Sequence, residues 1–576
     1  MADDTPRQAQ HDHGQEGIID LFQLGILNNE EDEAKLQTTL RTSDKIVVDE
    51  TCFIPPGKFV NVNGMEKKAT WKILQSYFAR LSNHQIHTLD LTFHGNAFWA
   101  FEPFFERLET LKIGFRESRV VGNPAALVDE SVVELPSLQT LHISSPMTTR
   151  YAADMNRQRR KVMYLPPPNL LPSILSASTR LVDLSCNPVA SRDLDCLGKI
   201  VQANPLLQKL RFAISKTKSA PDNNTLVKAI RNHKSLQSIS IFLMGRASSS
   251  VETQRIVEAS LLWTPKLQEF AFGMTRDVKL GEWIVECLAN TRIVTFRYVR
   301  NEIFPENTFH LSESINGGGV RSIMDGLTRN QFIQTIDLTG ASGAVADNGR
   351  MAVLLAQHPT LQTLRFNHYN QSNHAMAFSG LSENRTIKSI ACYLLPGRTC
   401  NRNYDDLVRD LGQGLEGNKT LERIVFRHSL PCTPKDDPPR NSKVPPLDAV
   451  VVFCRGLASH PTLRHFVFPN LNFGTNLKHV KEAVRQNTAL QEIQILWRQN
   501  LWWQKYDWLD EIEAMLATNT VLNNYFLAAT GQETNEVLLP HILAKASHRN
   551  IDLTYRCIRD RVGLFVQALL RCDSDE

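Results

Sequence analysis

Apolar and polar positions alternate along this chain in a unit that returns about fifteen times between Ile86 and Leu522. Its clearest copy is His358-Pro359-Thr360-Leu361-Gln362-Thr363-Leu364-Arg365-Phe366, where Leu361, Leu364 and Phe366 are apolar at an L-x-x-L-x-L spacing. Leu364 and Phe366, with Arg365 between them, follow the period-two alternation of a short half-buried strand. The spacing predicts strands starting at Ile86, Leu108, Leu138, Leu181, Leu207, Leu236, Leu267, Ile293, Ile333, Leu361, Ile387, Leu421, Leu463, Leu490 and Leu522. Well-behaved copies lie about 26 to 32 residues apart, which leaves room for a true helix after each strand.

The helices follow a rule of their own. Apolar residues recur ten and six places before a strand start, as Leu226 and Ile230, Ile323 and Leu327, Leu411 and Leu415, Phe453 and Leu457, Val480 and Val484, and Ile512 and Leu516. An i, i+4 pair lies on one helical face, so this stripe packs on the sheet. Three places before the strand start stands Asn83, Asn204, Asn290, Asn330, Asn384, Asn418, Asn487 or Asn519, with His233, His358 or His460 elsewhere. Asn follows Gly in tolerating left-handed backbone angles, so this residue reads as a C-cap rather than as a ladder of catalytic amides.

These patterns predict an α/β repeat solenoid over residues 41–530, interrupted by inserted loops at 116–134, 144–172, 301–317 and 429–446. A first strand is expected at Lys45-Ile46-Val47-Val48, and Trp71, Leu74, Phe78 and Leu81 mark a helix before the first clear repeat. Residues 1–40 are polar and read as a disordered tail. Residues 531–576 read as a helical cap and a short acidic end, because the last repeat would otherwise expose its apolar side. Asn316-Gly317-Gly318-Gly319 reads as a flexible connection, and the Pro-rich 429–446 as a mobile loop.

Composition narrows the function class. The 576 residues carry 64 basic and 60 acidic side chains, a net charge of +4 that argues against a protein gripping nucleic acid by phosphate neutralisation. No apolar run is long enough for a membrane span, and Met1-Ala2-Asp3-Asp4-Thr5-Pro6 does not open a secretory signal. The 10 cysteines form no C-x-x-C pair and read as buried thiols of a reducing compartment, which places the protein in the cytoplasm. Arg157, Arg159, Arg160 and Lys161 form a solvated loop, a nuclear-import tag or a nucleic-acid contact. No P-loop, zincin or nucleophile-elbow motif occurs, Cys392 and Cys400 are too far apart for a zinc pattern, and no cofactor or metal is expected.

The face of the strands turned away from the core is the part suited to recognition. Its middle residues are Asp90, Lys112, His142, Ser185, Arg211, Ser240, Ala271, Arg297, Asp337, Arg365, Ala391, Val425, Val467, Gln494 and Phe526. Lys209, Arg211, Arg297 and Arg365 give the centre a basic bias, and Ala391, Tyr393, Val425, Val467, Leu496 and Phe526 turn the C-terminal third apolar. Apolar residues there are either an interface or a surface covered by the C-terminal cap or the 429–446 loop. Beside them Trp497, Trp502, Trp503, Tyr506 and Trp508 form the densest aromatic cluster, either a binding patch or a seal on the repeat stack.

Leu361-Gln-Thr-Leu-Arg-Phe, Leu138-Gln-Thr-Leu-His-Ile and Leu236-Gln-Ser-Ile-Ser-Ile resemble the ribonuclease-inhibitor-like superfamily of leucine-rich repeat proteins. The tail Leu539-Pro540-His541-Ile542-Leu543-Ala544-Lys545-Ala546 is similar to the terminal segment of a set of such proteins in unicellular algae. The resemblance implies a curved right-handed solenoid, a horseshoe with parallel strands on its concave face and helices on its convex face. It also implies use in protein binding. The expected function is therefore that of a monomeric, non-enzymatic scaffold that binds a partner protein through Arg211, Arg297, Arg365, Tyr393, Val425, Val467, Leu496, Phe526 and the aromatic cluster. Some members of the superfamily activate a small GTPase, so Arg211, Arg297 or Arg365 acting on a GTPase is the alternative. Nucleic-acid binding by the central basic row is the least favoured reading.

Overall fold

The computed structural model describes residues 45–48, 87–93, 106–115, 135–144, 148–149, 161–162, 178–190, 193–215, 224–244, 251–274, 280–299, 318–340, 348–369, 378–395, 405–428, 444–468, 473, 476–495, 516–517 and 519–520. These fall into two compact units, divided between Met274 and Leu280. The N-terminal tail, the helix expected over 71–81 and the expected terminal cap lie outside the described residues.

The first unit holds strands β1 (Lys45–Val48), β2 (Thr88–Phe93), β3 (Thr110–Phe115), β4 (Thr140–Ser144), β7 (Asp183–Ala190), β8 (Lys209–Ser215), β9 (Ser238–Met244) and β10 (Glu269–Met274). Each pairs in parallel with the next in that order. Helices α1 (Leu194–Ala203), α2 (Asn224–Asn232) and α3 (Val251–Glu258) alternate with the later strands, and α3 runs on into a π-helical turn at Ala259–Trp263. Inside the expected 144–172 insertion, β5 (Thr148–Thr149) and β6 (Lys161–Val162) form a short antiparallel pair.

The second unit repeats the scheme. Helix α4 (Glu282–Asn290) precedes β11 (Thr295–Tyr298), α5 (Gly318–Arg329) precedes β12 (Thr335–Leu338), and α6 (Asn348–Gln357) precedes β13 (Thr363–Tyr369). A 3-10 turn at Ser379–Ser382 leads to β14 (Ser389–Leu395), α7 (Asp405–Gly417) to β15 (Arg423–His428), α8 (Leu447–Ser459) to β16 (His465–Phe468), and α9 (Leu477–Gln486) to β17 (Glu492–Ile495). These strands are parallel and sequential too, so each unit is an α/β strand–helix solenoid.

The core forms where the two apolar patterns meet. Leu226, Ile230, Ile323, Leu327, Leu411, Leu415, Phe453, Leu457, Val480 and Val484 are all fully buried, as the helix rule requires. Phe453 on α8 packs its ring 5.4 Å from Phe466 on β16. Phe366, Phe378, Phe426 and Phe468 continue the stack at centroid separations of 6.1, 6.0 and 4.2 Å. Each such ring removed from water contributes about 1.5–3 kcal/mol. Glycines let the helices come close: a Cβ on Gly412 of α7 would lie 2.5 Å from the Cα of Phe453 in α8.

Four expectations are corrected. Strands begin two residues after the first Leu or Ile of each motif, at Thr363 rather than Leu361, for example. The N–H of Gln362 and that of Thr363, the first strand residue, share the Gln334 carbonyl of the preceding repeat, and register pairing starts at Thr363. Gly318 and Gly319 form the first turn of α5 rather than a loose connection. Pro446 caps α8, and the Pro445 carbonyl accepts a hydrogen bond from Asn476 at 3.1 Å, so the described end of the expected mobile loop is built into the fold.

The fourth correction concerns the recurrent asparagine. It does close the helix, but not by left-handed backbone: φ is −113° at Asn204, −77° at His460 and −80° at Asn487. Its side chain does the work instead. The Asn418 amide donates to the carbonyls of Leu381 (3.0 Å) and Asn384 (2.9 Å) one repeat back, and its oxygen accepts the N–H groups of Thr420 (2.9 Å) and Leu421 (2.8 Å). Asn330 and Asn487 repeat all four bonds. Two donors and two acceptor sites are thus fully used, and the orphan groups of the helix end are satisfied across repeats. Beside this ladder the hydroxyls of Thr360, Thr386, Thr420 and Thr462 donate to the carbonyls of Ile333, Leu361, Ile387 and Leu421 at 2.9–3.0 Å. At one turn the ladder shifts by a residue: Asn290 is exposed on α4, and Thr291 takes the buried position.

Candidate functional site

Because the strands are parallel and in register, alternate residues on the face opposite the buried row line up across each unit. In the first unit Val47, Asp90, Lys112, His142, Ser185, Arg211, Ser240 and Ala271 are successive Cα partners. In the second, Arg297, Asp337, Arg365, Ala391, Val425, Val467 and Gln494 are. The middle row read from the sequence is therefore a real line of neighbours within each unit.

A second row, two residues earlier in each strand, shares that face. It runs Thr88, Thr110, Thr140, Asp183, Lys209, Ser238 and Glu269 in the first unit, and Thr295, Thr335, Thr363, Ser389, Arg423, His465 and Glu492 in the second. Apart from Lys209, reading only the middle residue of each motif passed over this row, although period-two alternation was the signal for it.

In the first unit the two rows meet in a charged cluster. Asp183 Oδ2 accepts a hydrogen bond from Arg211 Nη2 at 2.6 Å, while its Oδ1 lies 3.6 Å from His142 Nε2. The Arg211 Nη2 also lies 3.4 Å from His142 Nε2. Burial alone would raise the Asp183 pKa, but His142 and Arg211 outweigh it and hold the carboxyl below its ordinary range. Arg211 is thus engaged rather than free to reach a partner's phosphate. Glu269 at the far end accepts from the Ser238 hydroxyl at 3.3 Å.

The second unit differs in character. Asp337 is buried; its Oδ1 accepts the Thr339 N–H at 3.0 Å and the Thr339 hydroxyl at 2.6 Å, and its Oδ2 lies 3.8 Å from Arg365 Nη1. Arg297 occupies the adjacent register position on β11. Beyond Arg365 the middle row turns apolar, as expected, but its exposure is uneven. Ala391, Tyr393 and Val467 are half-buried, whereas Val425 is 4% exposed. Val425 was expected as an open interface residue; flanked in the row by Ala391 and Val467, it forms a floor instead. Arg423 and Arg427, two places to either side of it on β15, are exposed. At the end of the earlier row, His465 Nδ1 lies 3.1 Å from Glu492 Oε2.

Leu496, Trp497, Trp502, Trp503, Tyr506 and Phe526 lie outside the described residues. Cys392, expected as a core thiol, is fully buried, and burial pushes its pKa well up; Cys454 is pushed up to about 12 for the same reason. Among the described residues no helix is long and apolar enough to cross a membrane. Comparison with known protein families finds no matching family model, and comparison with curated proteins finds no matching relative.

Proposed function

We propose that this chain is a leucine-rich repeat protein of the ribonuclease-inhibitor-like kind. It acts as a non-enzymatic scaffold that binds a partner protein on the open face of its parallel strands. The observation that carries this reading is the register: one line of aligned side chains on the open face, polar at Arg297–Asp337–Arg365 and apolar at Ala391–Val467, in which buried Asp337 and Val425 alternate with more exposed neighbours. A rigid surface with separate charged and apolar zones binds a protein at little ordering cost. The superfamily assignment draws support from the strand–helix repeat and the amide ladder that ties each repeat to the one before. The GTPase-directed alternative draws less, since Arg211 is paired with Asp183 at 2.6 Å and Arg365 leans toward Asp337. The test is capture of bound protein from nuclease-treated lysate by the wild type and by the triple variant Arg365→Glu, Tyr393→Glu, Val467→Glu. The expected result is one polypeptide held in near-equal amount by the wild type and lost from the variant. Equal retention by both would remove the open face from the proposal, and acceleration of GTP hydrolysis across a GTPase panel would replace it.

A further inference from the structure

The strongest unassigned feature is the arginine pair on β15. Arg423 and Arg427 lie on the open face, both exposed, and neither guanidinium has a partner among the described residues. The nearer carboxylates are otherwise engaged: Glu422 lies 3.9 Å from Lys388, and Glu492 3.1 Å from His465. Between the two arginines sits Val425, with Ala391 beside it and Tyr393 beside Arg427 in the register. The arrangement is a small apolar floor between two uncompensated cations.

We propose that this part of the open face docks an extended acidic segment of a partner protein. Two carboxylates four residues apart in that segment would meet Arg423 and Arg427, and an apolar side chain midway would rest over Ala391 and Val425. The proposal rests on the protein-binding reading above and supplies the partner's chemistry.

The spacing argument is direct. At a rise of roughly 3.3 Å per residue, Arg423 and Arg427 stand about 13 Å apart along the strand. An extended segment laid along β15 has the same rise, so its residues i, i+2 and i+4 face positions 423, 425 and 427 in turn. Guanidinium binds carboxylate through two parallel charge-assisted hydrogen bonds, and arginine is enriched among the residues that dominate interfaces. A nucleic acid fits less well. Carboxylates flank the pair across the sheet, Asp337 on β12 to one side and Glu492 on β17 to the other, and the chain's net charge is only +4.

The test is selection of a random twelve-residue peptide library on the immobilised full-length protein, followed by fluorescence-anisotropy titration of the recovered peptides. The expected peptides carry Asp or Glu at i and i+4 around an apolar residue. Their affinity should fall at least tenfold for the R423Q/R427Q variant and beyond detection for R423E/R427E, with circular dichroism unchanged. Acidic peptides that bind the R423Q/R427Q variant as well as the wild type would overturn the proposal. So would displacement of the peptide by a dT20 oligonucleotide at lower concentration than by the peptide itself. If the recovered peptides carry no acidic pair and lose binding on Val467→Asp, the open face binds protein and the acidic partner is wrong. If no recovered peptide responds to any open-face substitution, both readings fall.

Discussion

The amide ladder contains its own weak points, and His460 is the most informative. Where most repeats carry Asn, this one carries His, whose Nδ1 accepts the N–H of Leu463 at 3.1 Å. Its Nε2 is buried with no hydrogen-bond partner among the described residues, whereas Asn487 in the next repeat donates both amide hydrogens to carbonyls one repeat back. Burial, helped by Lys419, pushes the His460 pKa from 6.5 down to about 4. A base depressed in the folded state leaves stability intact above the unfolded pKa of 6.5 and loses it progressively as pH falls toward 4. With each pH unit worth about 1.36 kcal/mol, lowering the pH from 6.5 to 5 costs about 2 kcal/mol at this residue. His460→Asn removes the titrating group and supplies the missing donors. It should therefore raise stability at pH 7.5 by about 1–3 kcal/mol, the cost of an unsatisfied buried polar group. It should also reduce the loss between pH 7.5 and 5 by about 2 kcal/mol relative to wild type. Urea unfolding at the two pH values gives both numbers, and His358, which has the same depressed pKa of about 4, cancels in the difference. An H460N variant that loses as much stability as wild type between pH 7.5 and 5 would refute the ladder argument.

Two further predictions probe neighbouring parts of the fold. Asp410 on α7 is buried and accepts the Phe378 N–H at 2.7 Å; burial pushes its pKa up to about 7, with that hydrogen bond a smaller opposing influence. A raised carboxyl favours the fold below its unfolded pKa and costs stability as pH rises toward 7, so Asp410→Asn should flatten the wild-type decline between pH 4.5 and 7.5 by about 3 kcal/mol, read from urea midpoints. Gly412→Ala would drive a methyl group into the Phe453 backbone and separate α7 from α8. It should cost about 3 kcal/mol by urea denaturation, and a loss below about 0.5 kcal/mol would show the helix pair to be looser than its geometry.

The periodic elements were legible because their causes are local. Leu364 and Phe366 alternate with Arg365 within one strand, and Leu411 and Leu415 share one helix face, so three or four residues suffice to declare each element. Even the open-face rows, Asp90 to Ala271 in one unit and Arg297 to Gln494 in the other, follow from counting along each motif, since parallel strands of equal offset must align. The recurrent asparagine was also visible as a helix cap, although the left-handed backbone expected of it is not what it adopts. The sequence marks where it stands, but not that its amide reaches carbonyls one repeat back, such as Leu381 for Asn418.

Tertiary structure alone decided the rest. Asp183, Arg211 and His142 belong to three different repeats, and only the register brings them within 3.6 Å of one another. Nothing in the local alternation distinguishes Val425 from Val467, yet one is buried and the other half-exposed, because exposure depends on which neighbours stand beside each valine. A repeat sequence determines the period, the buried stripe and the direction each side chain points, all of which are settled within one turn or strand. It does not determine which charges cancel and which stay open to a partner. That is set by distances between residues about thirty positions apart, and those exist only once the sheet has formed.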